Sequence, residues 1–236
     1  MYSERVSVCE NAAELAAHDK DAFTLLRRQG LGASDSSIIL GVNNWTKVDE
    51  LIAQKRSSEI TDEERAVGEK PQVRMGADVE PIILEKFIEW SDLAATKPED
   101  MYKLKDYPYL TVNYDGLTII EDQEIPIECK CVSMFADKYW KKENCLENWY
   151  GGNKHMFMSA LTVQDHIKKQ AEDYGIPPYY YTQIQQQLLG VNGTFAYLAA
   201  LFVKDWTLRV FKIYEDEITQ RAIVVIGQDV WNKIKD

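Results

Sequence analysis

The order of apolar periods along the chain predicts an α/β (α+β) fold in which helices flank a central mixed β-sheet. Helical spacing governs most of the first 57 residues and again 76–90, and β-like runs take over between 110 and 132. A helix, a strand pair and a last helix complete the order. With 236 residues, 45% of them hydrophobic, the chain is read as one domain, 1–236, that can bury a sizeable core.

Taken in order, residues 1–30 read as helical, with Ala12, Ala13, Leu15, Ala16, Phe23, Leu25 and Leu26 near 3.6 spacing, until Gly30-Leu31-Gly32 breaks the pattern. Ser34 and Asp35 offer N-caps to a short helix through Ile38, Ile39 and Leu40 that Gly41 closes. Lys47–Ser57 reads as another helix, and Ser58–Pro71, rich in acids, as a charged mobile connection. The clearest amphipathic helix covers 76–90, its stripe made by Val79, Ile82, Ile83, Phe87 and Trp90. A cap at Asp78 would put Pro81 in the first turn. Strands follow at Leu110–Tyr114, Leu117–Ile120 and Ile125–Val132, with turns at Asp115-Gly116 and Glu121-Asp122-Gln123. Residues 133–176 show little periodicity apart from a polar helix around Thr162–Tyr174. Tyr179–Leu189 is a Gln-rich helix, Phe195–Val203 and Leu208–Tyr214 form a hairpin, and Asp216–Lys235 is the final helix.

Charge and cysteine usage narrow the function classes. The net charge is −11, from 27 Lys+Arg against 38 Asp+Glu, which disfavours a uniformly basic nucleic-acid binder and favours a metal site. Acids on the exterior remain compatible with a cationic cleft. Charged residues at 28%, with 6 Trp and 13 Tyr, exclude a low-complexity chain. The longest apolar runs, such as Phe195–Val203, are too short to span a bilayer, and the polar N-terminus resembles neither a secretory signal nor a transit peptide, so a cytoplasmic protein with no membrane partner is expected. Cys9, Cys129, Cys131 and Cys145 lack zinc-type spacing and are read as reduced thiols.

The chemistry concentrates in Asn113-Tyr114-Asp115-Gly116 and Ile125-Pro126-Ile127-Glu128-Cys129-Lys130-Cys131. In a strand, Glu128 and Lys130 share one face while Ile127, Cys129 and Cys131 take the other. A hairpin brings Asp115 near Glu128, and two carboxylates beside one ammonium suit a divalent cation, Mg²⁺ or Mn²⁺, with the lysine orienting or helping to deprotonate a water. Such a site neutralises phosphate charge and generates hydroxide near neutral pH. A Glu-x-Lys pair is equally compatible with an exposed same-face ion pair. Glu80, at the edge of the 76–90 stripe, is a third acid, whose alternative is a helix-start residue facing water. Tyr180 and Gln183 share a helix face that could offer donors to a phosphate, or be a polar stripe. Arg27 and Ser34, across the Gly30–Gly32 turn, suit a terminal phosphate, or are a surface arginine and a cap.

In combination these pieces resemble the YqaJ-like viral recombinase family, which includes lambda exonuclease and lies within the PD-(D/E)XK nucleases. The resemblance rests on Arg27–Asp35, Ile39–Val42 with Trp45, Met75–Pro81, Asp115-Gly116-Leu117, Glu128-Cys129-Lys130 and Pro178–Gln185, in that order. It implies a restriction-endonuclease-like core and Mg²⁺-dependent digestion of linear double-stranded DNA from a 5′ end, leaving 3′ single strands for recombination. Asp115 and Glu128 would ligate the metal, Cys129 through its carbonyl, and Glu80 directly or through water, while Lys130 positions the water. Arg27, Ser34, Asn113 and Gln183 would contact phosphates, with Tyr180 in support. A ring-shaped trimer, duplex ends and a single-strand annealing protein are the implied partners, and a phage or prophage gene in a bacterial host the implied origin. Asn113-Tyr114 and Val132 depart from the family pattern. The connection 133–176 is longer than the family's usual one and is read as a family-variable insertion, and Lys138-Tyr139-Trp140-Lys141-Lys142 within it is a basic, aromatic cluster suited to a duplex end or displaced strand. An endonuclease or nickase on the same core, a non-catalytic DNA-binding or assembly protein, and an acidic DNA mimic are the competing readings.

Overall fold

The structure, a computed structural model, describes residues 4–146 and 162–236. Two mixed sheets form the framework. A four-stranded sheet has the order β1 (Arg5–Cys9), β4 (Met101–Leu104), β5 (Leu110–Val112), β2 (Leu31–Gly32). A five-stranded sheet has the order β3 (Ala95–Thr96), β6 (Gly116–Ile120), β7 (Gln123–Val132), β8 (Phe195–Phe202), β9 (Thr207–Tyr214). The chain passes from one sheet to the other through 113–115, so Asp115 stands where β5 ends and β6 begins.

Helices cover both faces of the larger sheet. On one face α6 (Pro71–Ser91) packs Ile83 and Phe87 onto Ile127, Cys129, Ala199, Leu201 and Val210. On the other, α7 (Val163–Tyr174), α8 (Pro178–Val191) and α9 (Glu217–Lys235) enclose the main core, which includes Leu198, Ala200, Phe202, Phe211 and Ile213. Side chains alternate along β8 between the two cores, as a pleated strand buried on both faces requires. The remaining helices, α1 (Ala12–His18), α2 (Lys20–Arg27), α3 (Ser36–Ile39), α4 (Val48–Arg56) and α5 (Asp62–Gly68), lie in the N-terminal third.

The predicted α/β class holds, with several local corrections. The first residues are not helical throughout: Arg5–Cys9 pairs antiparallel with β4, because a short β-branched run satisfies its backbone on an available strand edge. The segment expected to be a mobile connection contains α5. Thr61 and Glu64 bond reciprocally at 3.2 and 2.8 Å, a capping box, and Arg28 ties the segment down through the carbonyls of Ser57 and Glu59 and the Glu64 carboxylate. Helix α6 begins at Pro71, so Asp78 does not cap it and Pro81 lies mid-helix. Proline there removes a donor to the preceding turn, yet it sits on the exposed side and the buried Ile83 and Phe87 anchor the helix beyond it. Of the two expected caps Asp35 does occupy the N-cap position of α3, while Ser34 lies inside the single 3₁₀ turn 33–35 before it, whose N-cap is Gly32. Trp140 is no surface platform: it is 7% exposed and packs against Tyr180, Phe202 and Phe211. Of the expected insertion 133–176, residues 147–161 lie outside the described residues.

Candidate active site

Strand β7 and helix α8 build the site between them. Period two turns Glu128 and Lys130 toward α8 and Cys129 toward α6. Glu128 is 1% exposed, and a carboxylate so buried requires a full set of donors. Its Oε1 accepts from Gln183 Nε2 at 2.5 Å and from the Lys130 ammonium, and its Oε2 accepts from Gln187 Nε2 at 2.5 Å. Gln183 and Gln187 are one helical turn apart, so one face of α8 presents both amides. Burial alone would pull Lys130 down, but the Glu128 and Asp115 carboxylates outweigh it and hold the ammonium above its ordinary range. The Tyr180 ring lies 5.3 Å from Lys130 Nζ.

Asp115 reaches the same place from the end of β6. The β6–β7 hairpin turns through Glu121 and Asp122, both left-handed (φ 49° and 62°), which fits a two-residue connection. Its register pairs Gly116 with Ile127. One residue earlier, Asp115 Oδ2 accepts from the Cys129 amide at 2.9 Å, standing where a longer β6 would have supplied a partner. The glycine that follows is dictated by packing, since a Cβ on Gly116 would come within 2.6 Å of Leu84 Cδ1 on α6. An extended residue points its N–H and C=O to the same side, so the Cys129 carbonyl faces the same unpaired end of β6. Burial, then the adjacent Glu128 carboxylate, push Asp115 well above the usual carboxylate range, with Glu80 adding and Lys130 and the Cys129 amide opposing. Burial also raises the Cys129 thiol, whose side chain packs into the core beneath α6, and the carbonyl is that residue's donor toward the end of β6.

The other predicted site residues divide. Glu80 faces the site closely enough to act on Asp115, but its Oε1 is engaged by Lys97 Nζ at 2.5 Å. Arg27 Nη2 does meet Ser34 Oγ, at 3.0 Å. Around that pair Lys55 is buried against Asp35 at 2.7 Å and donates to the carbonyls of Arg27 and Gly30. The 3₁₀ turn carrying Ser34 packs on α8, yet among the described residues no hydrogen bond or ion pair joins Arg27 or Ser34 to Glu128 or Lys130. Asn113 contributes its carbonyl, which accepts from Gln187 Nε2 at 3.1 Å, while its side chain is exposed. Gln187 is the residue that sequence reasoning left out of the site, although its i+4 spacing from Gln183 was a usable signal.

The donor set fits a hard divalent cation of limited coordination demand. Among the described residues no group of three Asp, Glu, His or Cys side chains closes on a common point, because Glu80 is turned to Lys97. Two adjacent carboxylates and one carbonyl remain, and Mg²⁺ is commonly held by one or two carboxylates with water and substrate phosphate completing the shell. Asp115 supports the fit: it is a half-buried carboxylate beside another, with a single hydrogen bond among the described residues, and a cation would relieve that repulsion.

Residues 22–192 match the YqaJ-like viral recombinase domain, and the chain belongs to that family. Among individual proteins it is 28% identical over 149 residues to the uncharacterized protein YqaJ of Bacillus subtilis (strain 168), a match covering 63% of this chain and 44% of that relative. This chain therefore matches less than half the length of the curated relative. The fold is similar to that of an alkaline exonuclease from Laribacter hongkongensis, with a TM-score of 0.56 at 14% identity over 89% of this chain and 91% of that one. The same enzyme in complex with dAMP gives 0.56 at 13% identity, over 90% and 93%. Among the described residues no helix is long and apolar enough to cross a membrane.

Proposed function

We propose that this chain is a metal-dependent nuclease that hydrolyses phosphodiester bonds of linear double-stranded DNA, working 5′→3′ as an exonuclease to leave 3′ single strands for recombination. The observation that carries the reading is the buried Glu128, fixed by Gln183, Gln187 and Lys130 beside an under-bonded Asp115. Mg²⁺ or Mn²⁺ held by Asp115, Glu128 and the Cys129 carbonyl would supply charge neutralisation for the phosphate and a nucleophile near neutral pH. Gln183 and Gln187 set the orientation of the Glu128 carboxylate, and Lys130 presents ammonium hydrogens where an attacking water needs to be oriented. Glu80 becomes a further ligand, directly or through water, only after releasing Lys97.

Family membership supports DNA as the substrate, and the Laribacter exonuclease seen with dAMP supports a nucleotide-sized product site. Arg27 with Ser34 forms the proposed 5′-phosphate contact. A homo-oligomer, to be tested as a ring-shaped trimer, and a single-strand annealing partner belong to the same reading. The test is digestion of end-labelled linear duplex, with and without a 5′ phosphate, in Mg²⁺, Mn²⁺ and EDTA. Loss of the 5′ label first, only with metal, is expected. Metal-independent digestion sinks the site, and cutting of covalently closed circles replaces the exonuclease with an endonuclease or nickase.

A further inference from the structure

A series of aromatic rings leads away from Lys130 into a cleft that the chemistry above does not use. The cleft, about 480 Å³, is lined by Trp45, Tyr139 and Tyr179 together with Lys141 and Lys168. The Trp45 and Tyr179 rings meet edge-on with centroids 4.9 Å apart, and Tyr179 meets Tyr180 at 4.5 Å. Tyr180 in turn flanks Lys130. The cleft is thus linked through Tyr179 and Tyr180 to Lys130, which bonds Glu128.

Its outer rings keep exposed surface that a ligand can reach. Asn43 Oδ1 accepts from the amides of Trp45 and Thr46, both at 2.9 Å, so the backbone beneath Trp45 is fixed while the residue stays 70% exposed. Tyr139 is 60% exposed, and Lys138 Nζ lies 5.0 Å from its ring. Lys141 is partly occupied by Glu172 at 3.0 Å, whereas Lys168 takes part in no ion pair among the described residues. In a chain of net charge −11, exposed rings with lysines beside them select a ligand that is both flat and anionic. A duplex keeps its base faces stacked on each other, so the fit is to unpaired nucleotides.

We propose that this cleft is a base-stacking subsite for single-stranded DNA, in which Trp45 and Tyr139 offer ring faces to unpaired bases while Lys168 and Lys138 meet the phosphates. As a substrate subsite it rests on the nuclease reading, and it would hold the strand next to the scissile phosphate.

The test is fluorescence anisotropy of full-length protein with a short fluorescein-labelled oligo-dT in EDTA, where cleavage plays no part. Trp45→Ala and Tyr139→Ala are each expected to weaken binding by ~10-fold or more, the scale of one base–aromatic stack. Trp45→Phe should stay near wild type, and an abasic oligonucleotide of equal charge, which can stack on neither ring, should bind more weakly still than Trp45→Ala binds oligo-dT. Both positions are exposed, so thermal melting should be unchanged. Wild-type protein that ignores oligo-dT, or alanine variants that bind it as well as wild type, overturns the subsite. Glu128→Gln serves to separate the two readings: it should keep oligo-dT binding while losing cleavage. Trp45-dependent binding by a protein that digests no DNA would refute the nuclease reading and leave the subsite standing.

Discussion

Two aspartates of this molecule, Asp115 and Asp216, occupy similar half-buried positions beside α8 and are treated in opposite ways. Asp216 is saturated. Its Oδ2 is met by His166 Nε2 at 2.7 Å, Tyr181 OH at 2.9 Å and Thr219 Oγ1 at 2.5 Å, and its Oδ1 caps α9 through the Ile218 amide at 3.1 Å. Its own amide donates to Gln185 at 2.8 Å. Asp115 has one hydrogen bond among the described residues and a second carboxylate as its neighbour. Asp216 joins α7, α8 and α9; Asp115 stores repulsion that only a proton or a cation relieves. Helix α8 serves both ends. Gln185 and Gln186 stitch backbone, to Tyr214 and to Leu31 and Thr111, while Gln183 and Gln187 are spent on Glu128. A run of similar glutamines is divided by helical geometry into a pair that holds backbone and a pair that holds the Glu128 carboxylate.

The contrast is sharpest at Glu128. Glu128→Gln keeps the shape of the cluster and removes the charge, and DNA cleavage should fall on the order of 10³-fold or more while the protein stays folded. Retained cleavage with labelled duplex would move the chemistry elsewhere. Asp216→Ala should do the reverse, costing about 2–4 kcal/mol of stability through a lost cap and stranded donors. Urea unfolding measures that loss, and cleavage below the melting range should stay within a few-fold. Smaller in effect, Gln187→Leu should weaken metal affinity or activity by ~10–100-fold as an orienting contact is lost. Gln186→Leu should instead lower stability and leave cleavage nearly intact, and equal behaviour of the two would erase the division along α8.

The smallest effect concerns protons. Asp115 is raised in the folded state, so its protonation supports folding fully at pH values below the ordinary carboxylate range. That support is lost as pH climbs through its elevated folded value. Metal-free protein should therefore lose some stability on going from mildly acidic to neutral pH. Asp115→Asn should remove that part of the slope and raise Tm in EDTA by a few degrees at neutral pH, whereas Mg²⁺ or Mn²⁺ should stabilise only the wild type. Thermal melts at both pH values, with and without metal, read all four arms. A variant less stable than wild type in EDTA would show that Asp115 is structural like Asp216.

Much of this was legible beforehand where the signal is local. The alternation of Ile127, Glu128, Cys129 and Lys130 gave the two faces of β7, and the Asp-Gly step before Leu117 gave the end of β6. The Thr61–Glu64 spacing carries a capping signature, but the density of charge around it resembles a solvated connection, and α5 is therefore hidden in the sequence. Pro81 misled in another way: proline propensity argued for a helix start, and packing of Ile83 and Phe87 overrode it. The Lys138–Lys142 cluster read as one surface, but the core claimed Trp140 and left Tyr139 outside.

By itself the amino-acid sequence determined the two faces of β7, the β6–β7 hairpin and most of the later helices and strands, and it singled out the acids and amine proposed to carry the chemistry, because periodicity and turn preference act over a few neighbouring residues. Only the tertiary structure decided that Gln187 completes the shell of Glu128, that Glu80 is held by Lys97, and that Asp115 is left short of partners while Asp216 is not. Those outcomes depend on sheet register and on the seating of α6 and α8, and side chains 14 to 59 positions apart meet only once the whole core has closed.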